Sequence, residues 1–363
     1  MDSKPLHLHC SLGRHRRIQA SGTRYDIGHR QGEAHRAEIR RFLDDRLTRI
    51  GAILGRPVDL PDFSAAIAEH AAVIEDRLPA LSEELRGLAA GAGISMEEAY
   101  LLQLRRELVG YRSVRPAGDC TTFGRMAGGA TVLGQTVDLN GDMASELTVM
   151  ELEPTDTGRR LALVSFTGLL GYLGMNDRGL AIGLNLVLAG AWRPGIPGYM
   201  AIRHLLDEAT SVDDCIRRLA ALPLASSRAL TIADGTRLVT VEYVLDEMVV
   251  FEGDELVHAN HFLHPDFVDR DELNPFARTS SMRRQAACAA ALVALPVEAD
   301  PEAYLDVLAA APVHVPPNGD VKRECTAACV VMRPDLGTVH VRQGDLAWQP
   351  ASRTASTEDL LQE

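Results

Sequence analysis

The sequence predicts an α+β protein in which antiparallel sheets are covered by helices. Two observations carry this. Helical apolar spacing fills the first third of the chain, whereas short β-branched or alternating runs dominate from Thr121 onward. Those runs follow one another as a meander, interrupted by helical pairs and not alternating one by one with helices, which is the pattern of layered antiparallel sheets.

Helices are expected over 25–47, 63–90 and 95–109, the last opened by Ser95 and Glu98 at capping-box spacing, after the breakers Gly91 and Gly93. Strands are expected at 131–138, 147–152, 161–167, 181–187, 230–232, 238–243, 248–251 and 256–259. Asn176-Asp177-Arg178-Gly179 and Asp234-Gly235 have hairpin-turn chemistry. Helices return at 199–209, 212–221, 280–295 and 301–310, and strands at 327–333 and 338–343 close the pattern. The polar stretch 351–363 reads as a frayed tail.

With 363 residues, 46% of them hydrophobic and 24% charged, the chain can bury a large core, and no linker-like stretch divides it, so one compact domain is expected. No run of eighteen apolar residues occurs and no apolar stretch follows the His- and Arg-rich start, so neither a membrane span nor a secretory signal is expected, and a cytoplasmic location is the default. A net charge of −13 argues against binding a phosphate backbone. Neither nucleic acid nor membrane is an expected partner.

The six cysteines, at 10, 120, 215, 288, 325 and 329, lack disulfide or zinc-ribbon spacing and read as free thiols. Cys215 and Cys288 sit in apolar helical patterns as small buried hydrophobes. Cys120 differs. The helical part ends at Gly118-Asp119, and Cys120-Thr121-Thr122-Phe123-Gly124 opens the first strand of the sheet region. A thiol at such a junction can attack the carbonyl before it; hydrolysis of the thioester then leaves a free α-amine, titrating at about pH 8, as a local general base. On composition alone, a buried structural cysteine at a strand start is the better reading.

Further segments fall in register along the chain: Ser21-Gly22-Thr23-Arg24-Tyr25-Asp26-Ile27-Gly28-His29-Arg30-Gln31-Gly32, Leu88-Ala89-Ala90-Gly91-Ala92-Gly93, Leu104-Arg105-Arg106-Glu107-Leu108, Asp119-Cys120-Thr121-Thr122, Gly134-Gln135-Thr136-Val137-Asp138, Ser165-Phe166-Thr167-Gly168 with Gly174-Met175-Asn176-Asp177-Arg178-Gly179-Leu180, and His258-Ala259-Asn260-His261-Phe262. Over roughly residues 18 to 345 the chain resembles the acyl-coenzyme A:6-aminopenicillanic acid acyltransferase family, autoproteolytic members of the N-terminal-nucleophile (Ntn) hydrolases. The resemblance implies an αββα sandwich, with Cys120 as nucleophile at the edge of a central strand. It implies cleavage between Asp119 and Cys120 into chains 1–119 and 120–363 that stay associated in one domain, and a small-molecule amide or acyl thioester as substrate.

Asp138 matches the family aspartate that holds the new amine. Asn260 matches a side-chain donor to the oxyanion, Asn185 in Gly183-Leu184-Asn185 lies where related amidases place another, and Arg283 matches a helix-borne arginine, with Arg284 its rival. Thr121 and Thr122 stand where a hydroxyl assists the acyl shift. Each has a plainer reading: Asp138 closing a turn with Asn140-Gly141-Asp142, Asn260 bonding its own loop, Asn185 a satisfied strand-end amide, Arg283 a solvated charge, and the threonines β-formers. Two departures stand out: Asp119 where many members have Gly, and Thr136-Val137-Asp138-Leu139 in place of an aromatic-rich segment. Asp119 keeps open an uncleaved, non-catalytic binding or scaffold protein.

His7, His9, Cys10 and His15, the pair Cys325 and Cys329, and the pair His261 and His264 lack zinc-site spacing, so no metal is expected, nor any cofactor. Gly-x-Ser-x-Gly and Walker motifs are absent.

Overall fold

The computed structural model describes residues 4–10, 16–111 and 120–344. Two sheets stack face to face. One has six strands in the order β1 (His7–Cys10), β14 (Thr338–Gln343), β13 (Cys325–Arg333), β4 (Ala130–Leu139), β3 (Thr122–Ala127), β12 (Glu255–His258). The other has eight: β11 (Glu247–Glu252), β10 (Leu238–Val244), β9 (Arg228–Ala233), β8 (Ala181–Leu186), β7 (Leu173–Asn176), β6 (Leu161–Phe166), β5 (Leu147–Pro154), β2 (Arg17–Gly22). From β5 to β11 this second sheet is a continuous antiparallel meander. The two strands nearest the start of the chain attach as parallel edges, β1 to β14 and β2 to β5.

The fold is therefore an αββα sandwich. Contacts of β4 with β8, and of β3 with β8 and β9, bring the sheets together. The main core, with Leu133, Val137, Val164, Ile182 and Leu230, fills the gap between them and runs on beneath α1 (Arg24–Ala34), α5 (Pro79–Ala92) and α7 (Gly198–Glu208), which cover the eight-stranded sheet. A second cluster, with Phe123, Val132, Cys288, Leu308 and Cys329, lies between the six-stranded sheet and helices α10 (Pro275–Leu292) and α11 (Pro301–Ala309).

Within the helical third, α1 ends at His35 and α2 (Arg36–Asp44) follows; α4 (Ser64–Arg77) and α5 are separated at Leu78, because Pro79 pushes the residue before it out of the helical region. The two long helices expected from periodicity are thus four shorter ones. After a short helix α3 (Ile50–Leu54), α6 (Met96–Val109) carries the Ser95/Glu98 capping box with both reciprocal bonds made. Where α1 crosses α5, Gly28, Gly32, Gly87 and Gly91 let the backbones touch: a Cβ on Gly28 would lie 1.8 Å from the Glu84 carbonyl oxygen, and one on Gly87 would lie 2.0 Å from that of Tyr25.

Other expectations shift. Helix α10 starts at Pro275 behind the N-cap Asn274, earlier than residue 280. Strand β7 and the edge strands β1 and β2 have no counterpart among the expected strands. His7, His9 and Cys10 accordingly sit in strand β1, whereas His15 and the stretch 351–363 lie outside the described residues. Among the described residues, none of the six cysteines is in a disulfide, no group of three His, Cys, Asp or Glu side chains is placed to hold a metal, and no helix is long and apolar enough to cross a membrane.

Candidate active site

Cys120 stands immediately before β3, and the β3–β4 hairpin puts its partners beside it. The two-residue turn Gly128-Gly129, with φ of 60° and 87°, pairs Thr122 with Gln135 and so returns β4 along Cys120 at Val137 and Asp138. The eighteen-residue separation of Cys120 and Asp138 is thus one hairpin. The Asp138 backbone N–H donates to Cys120 Sγ at 3.4 Å, and Tyr172 Oη lies 3.8 Å from the sulfur. Cys120 is 1% exposed.

Alternation along β3 sends Cys120 and Thr122 toward the other sheet, and Thr121 and Phe123 toward α10. On the first side, Asn185 of β8 donates from Nδ2 to the Cys120 carbonyl oxygen at 3.0 Å. On the second, Arg284 of α10 donates to the same oxygen at 3.0 Å, to Thr121 Oγ1 at 2.8 Å and to Asn260 Oδ1 at 2.6 Å. The carbonyl of this one residue is therefore held from both layers.

Asn260 is fixed in its turn. Its backbone N–H donates to Ser281 Oγ at 2.7 Å, and its Nδ2 donates to the Leu186 carbonyl at 3.0 Å. Ser281 Oγ lies 2.8 Å from Nδ1 of His261. Burial, aided by His258 and Arg278 nearby, lowers the pKa of His261 to about 4. His258, before Asn260, meets Glu242 at 2.8 Å and the Ala259 carbonyl at 2.7 Å, anchoring the segment. Asp138 turns its carboxylate to Thr326 Oγ1, which donates at 2.7 Å from a bulge in β13, and to Thr136 Oγ1 at 3.4 Å.

Of the residues singled out from sequence, Cys120, Asp138, Asn185, Asn260 and Thr121 converge. Arg283 does not: it is exposed, and Arg284, 1% exposed, takes the inward place. One residue is about 100° of helix, enough to exchange solvent for the interior. The Oγ1 of Thr122 is buried without a hydrogen-bond partner, outside this network. Asp119 lies outside the described residues. Both asparagine amides donate to backbone carbonyls, so in this arrangement they brace Cys120 and the end of β8.

Tyr172, Thr136 and Thr326 were not anticipated. Thr326 is far along the chain, and only the pairing of β13 with β4 reveals it. Three other thiols contrast with Cys120: burial pushes Cys288 up to about 12 and raises Cys215 and Cys329 as well, leaving them protonated and inert.

Behind Tyr172 a small cavity of about 30 Å³ is lined by Arg105, Arg106, Tyr199, Arg228, Glu324 and the leucines of β8. Residues Arg46 to Arg49, all at positive φ between 49° and 64°, support its floor: the Thr48 carbonyl accepts from Arg105 at 2.8 Å, and Arg49 donates to the carbonyls of Gly141 and Asp142 just after β4. Four consecutive left-handed residues are costly, about 1–2 kcal/mol each, and these contacts offset that cost.

Residues 125–308, just over half of the chain and beginning close behind Cys120, match the family model described as acyl-coenzyme A:6-aminopenicillanic acid acyl-transferase. The chain belongs to this family. The 40 kDa form of acyl-coenzyme A:6-aminopenicillanic-acid-acyltransferase from Emericella nidulans is 26% identical over 265 residues, covering 71% of this chain and 72% of the relative. Among solved structures, penicillin V acylase from Agrobacterium tumefaciens aligns at 15% identity and TM-score 0.42, over 59% of this chain and 79% of its own. A mutant of the conjugated bile acid hydrolase from Clostridium perfringens aligns at 13% identity and TM-score 0.44, over 62% and 89%. For a member of the acyltransferase family, the matched span places β4, β8, the Asn260 segment and α10 inside the shared region, and Cys120 at its threshold.

Proposed function

We propose that this protein is an autoproteolytic amidohydrolase or acyltransferase, of the N-terminal-nucleophile type, whose nucleophile is Cys120 and which cuts itself between Asp119 and Cys120. The observation that carries the reading is the doubly held Cys120 carbonyl, gripped by Asn185 and Arg284 from opposite layers at 3.0 Å each, a restraint that a merely structural cysteine does not need.

In the self-cleavage, Sγ attacks the Asp119 carbonyl carbon, the C–N bond to Cys120 breaks, and the nitrogen leaves as a free α-amine. Water then hydrolyses the thioester, returning the thiol and freeing the Asp119 carboxylate. The amine, titrating at about pH 8, next takes the thiol proton as Sγ attacks an amide or thioester. The substrate's amine or thiol departs with that proton, and water or an amine takes the acyl group from sulfur, hydrolysis being the simpler course. Asp138 orients the amine, Asn260 and Asn185 supply amide donors for the oxyanion, and Arg284, in the place first given to Arg283, holds Asn260 and Cys120 in one frame. Thr121 is the hydroxyl beside the scissile bond; Thr122 has no part in this scheme.

Cleavage would leave residues 1–119 and 120–363 tied by the parallel edges β2–β5 and β1–β14 and by buried ion pairs that cross the cut, Arg203 with Glu84, Arg24 with Asp207, and Arg228 with Glu107. The two pieces therefore form one domain. The rival, an uncut protein that only binds, draws on the near-complete burial of Cys120. Intact mass decides between them. Two fragments meeting at 119 and 120 are expected from the wild-type chain and one uncut chain, with no turnover, from Cys120→Ala; an uncut wild-type chain whose Cys120 no acyl donor labels would sink the proposal.

A further inference from the structure

We infer that the cavity behind Tyr172 receives a carboxylate of the substrate and that Arg106 is the residue that selects for it. This rests on the reading of Cys120 as nucleophile, since Tyr172 lines the cavity and its hydroxyl lies 3.8 Å from Cys120 Sγ.

Three guanidinium groups face the cavity, and two of them are engaged. Arg228 pairs with Glu107 at 3.0 Å and lies over the Trp192 ring, 4.9 Å from its centroid. Arg105 donates to the carbonyls of Thr48 and Asn140. Arg106 is 9% exposed, its Nη2 is buried without a hydrogen-bond partner, and its side chain makes no ion pair or hydrogen bond with any described residue. A guanidinium stays charged at every working pH, so leaving it buried and unpaired costs folding free energy that a structural arginine would not impose. Glu324 is the carboxylate facing the same space, and Glu107 is paired with Arg228, so the three guanidinium groups outnumber these two carboxylates.

The ligand chemistry follows from this. A planar fork of N–H donors matches a carboxylate, and the room is that of a water-sized or carboxylate-sized group, with Tyr172, Tyr199 and the leucines shaping an apolar approach. The carboxylate belongs either to the acyl group or to the amine it is joined to, and the two are separable by experiment.

The test uses two matched substrate series. In the first, the mono-p-nitroanilides of succinic, glutaric and adipic acid carry the charge on the acyl side, against the same compounds with a terminal carboxamide. In the second, hexanoyl amides of 4-aminobenzoate carry it on the amine side, against those of 4-aminobenzamide. We expect kcat/KM to favour the carboxylate by about tenfold or more in one series, and the ratio to fall to near unity in Arg106→Gln while Arg106→Lys keeps part of it. Absence of any preference in the wild-type protein, or a preference that Arg106→Gln retains, overturns the inference. Calorimetric titration with glutarate and with glutaramide reads the cavity without turnover. Tighter binding of glutarate to the wild-type protein, lost in Arg106→Gln, supports the inference even where no amide is turned over, an outcome that would remove only the Cys120 reading; equal affinity for the two ligands overturns it.

Discussion

Where α1 crosses α5 the two backbones touch; where α10 meets β3 a single long side chain spans the gap. Both contacts are buried and both lie in segments of motif-like sequence, yet they are built in opposite ways. The helix crossing removes side chains, setting Gly28 and Gly32 against the backbone of Glu84 to Ala92, and beside it a nearly closed set of charges, Arg203 and Arg24 with Glu84 and Asp207, pairs with itself and draws in only Asp156 from outside. At the other contact Arg284 donates to a carbonyl, a hydroxyl and an amide of residues around the thiol. A paired charge makes a rigid wall. Donors turned on the groups around Cys120 fix that residue itself, and the two ought to fail differently.

The largest stability effect is expected at the nearly closed set. Arg203→Met strands the buried carboxylates of Glu84 and Asp207 and should cost about 3–5 kcal/mol in urea unfolding, with turnover per folded molecule retained. A smaller loss than about 1 kcal/mol would mean that the carboxylates re-pair, and the wall would not be rigid. Gly28→Ala comes next, at about 3 kcal/mol, because its Cβ can be seated only by moving two helices apart; a denaturation midpoint equal to that of the wild type would break the picture of backbones in contact.

At the other contact the readout moves from stability to rate. Arg284→Met is expected to slow self-cleavage and turnover about a hundredfold, or about 2.7 kcal/mol, whereas Arg283→Met should change neither, and time-resolved intact mass on the two variants compares neighbours that differ only in helical phase. The smallest effect is pH-dependent. His261 is held neutral with its pKa lowered to about 4, so the unfolded chain takes up a proton below about pH 6.5 that the folded chain refuses. Stability from this residue is therefore full above pH 6.5 and falls as pH drops toward 4. His261→Gln should flatten that part of the profile of unfolding midpoint against pH, and an unchanged slope would remove His261 as its source.

The two contacts also differ in how far they could be read in advance. The glycine spacings, the Ser95/Glu98 cap and Pro79 are local signals, and each produced the geometry that local physics requires, although Pro79 splits what periodicity alone joins. The separation of Cys120 from Asp138 is also local, since a tight turn at Gly128-Gly129 converts it into a register. Arg284 against Arg283 was not local: one residue of phase depends on where α10 begins, and that is set by Asn274 and Pro275 well upstream. Arg106 was legible only as a second arginine in an apolar helix, a position whose meaning depends on what stands opposite.

From its order of residues alone, the chain determined the α+β layering, the boundary at Cys120, the hairpin that brings Asp138 alongside and the identity of its family, because turns, caps and strand alternation act over a few residues. Only the tertiary structure decided that β1 and β2 close the two sheets as parallel edges, that Thr326 supports Asp138 across nearly two hundred residues, and that Arg284 and Asn185 meet on one carbonyl. Those contacts join segments with no short-range tie, and their energy appears only when the layers pack and each buried polar group has to find its partner.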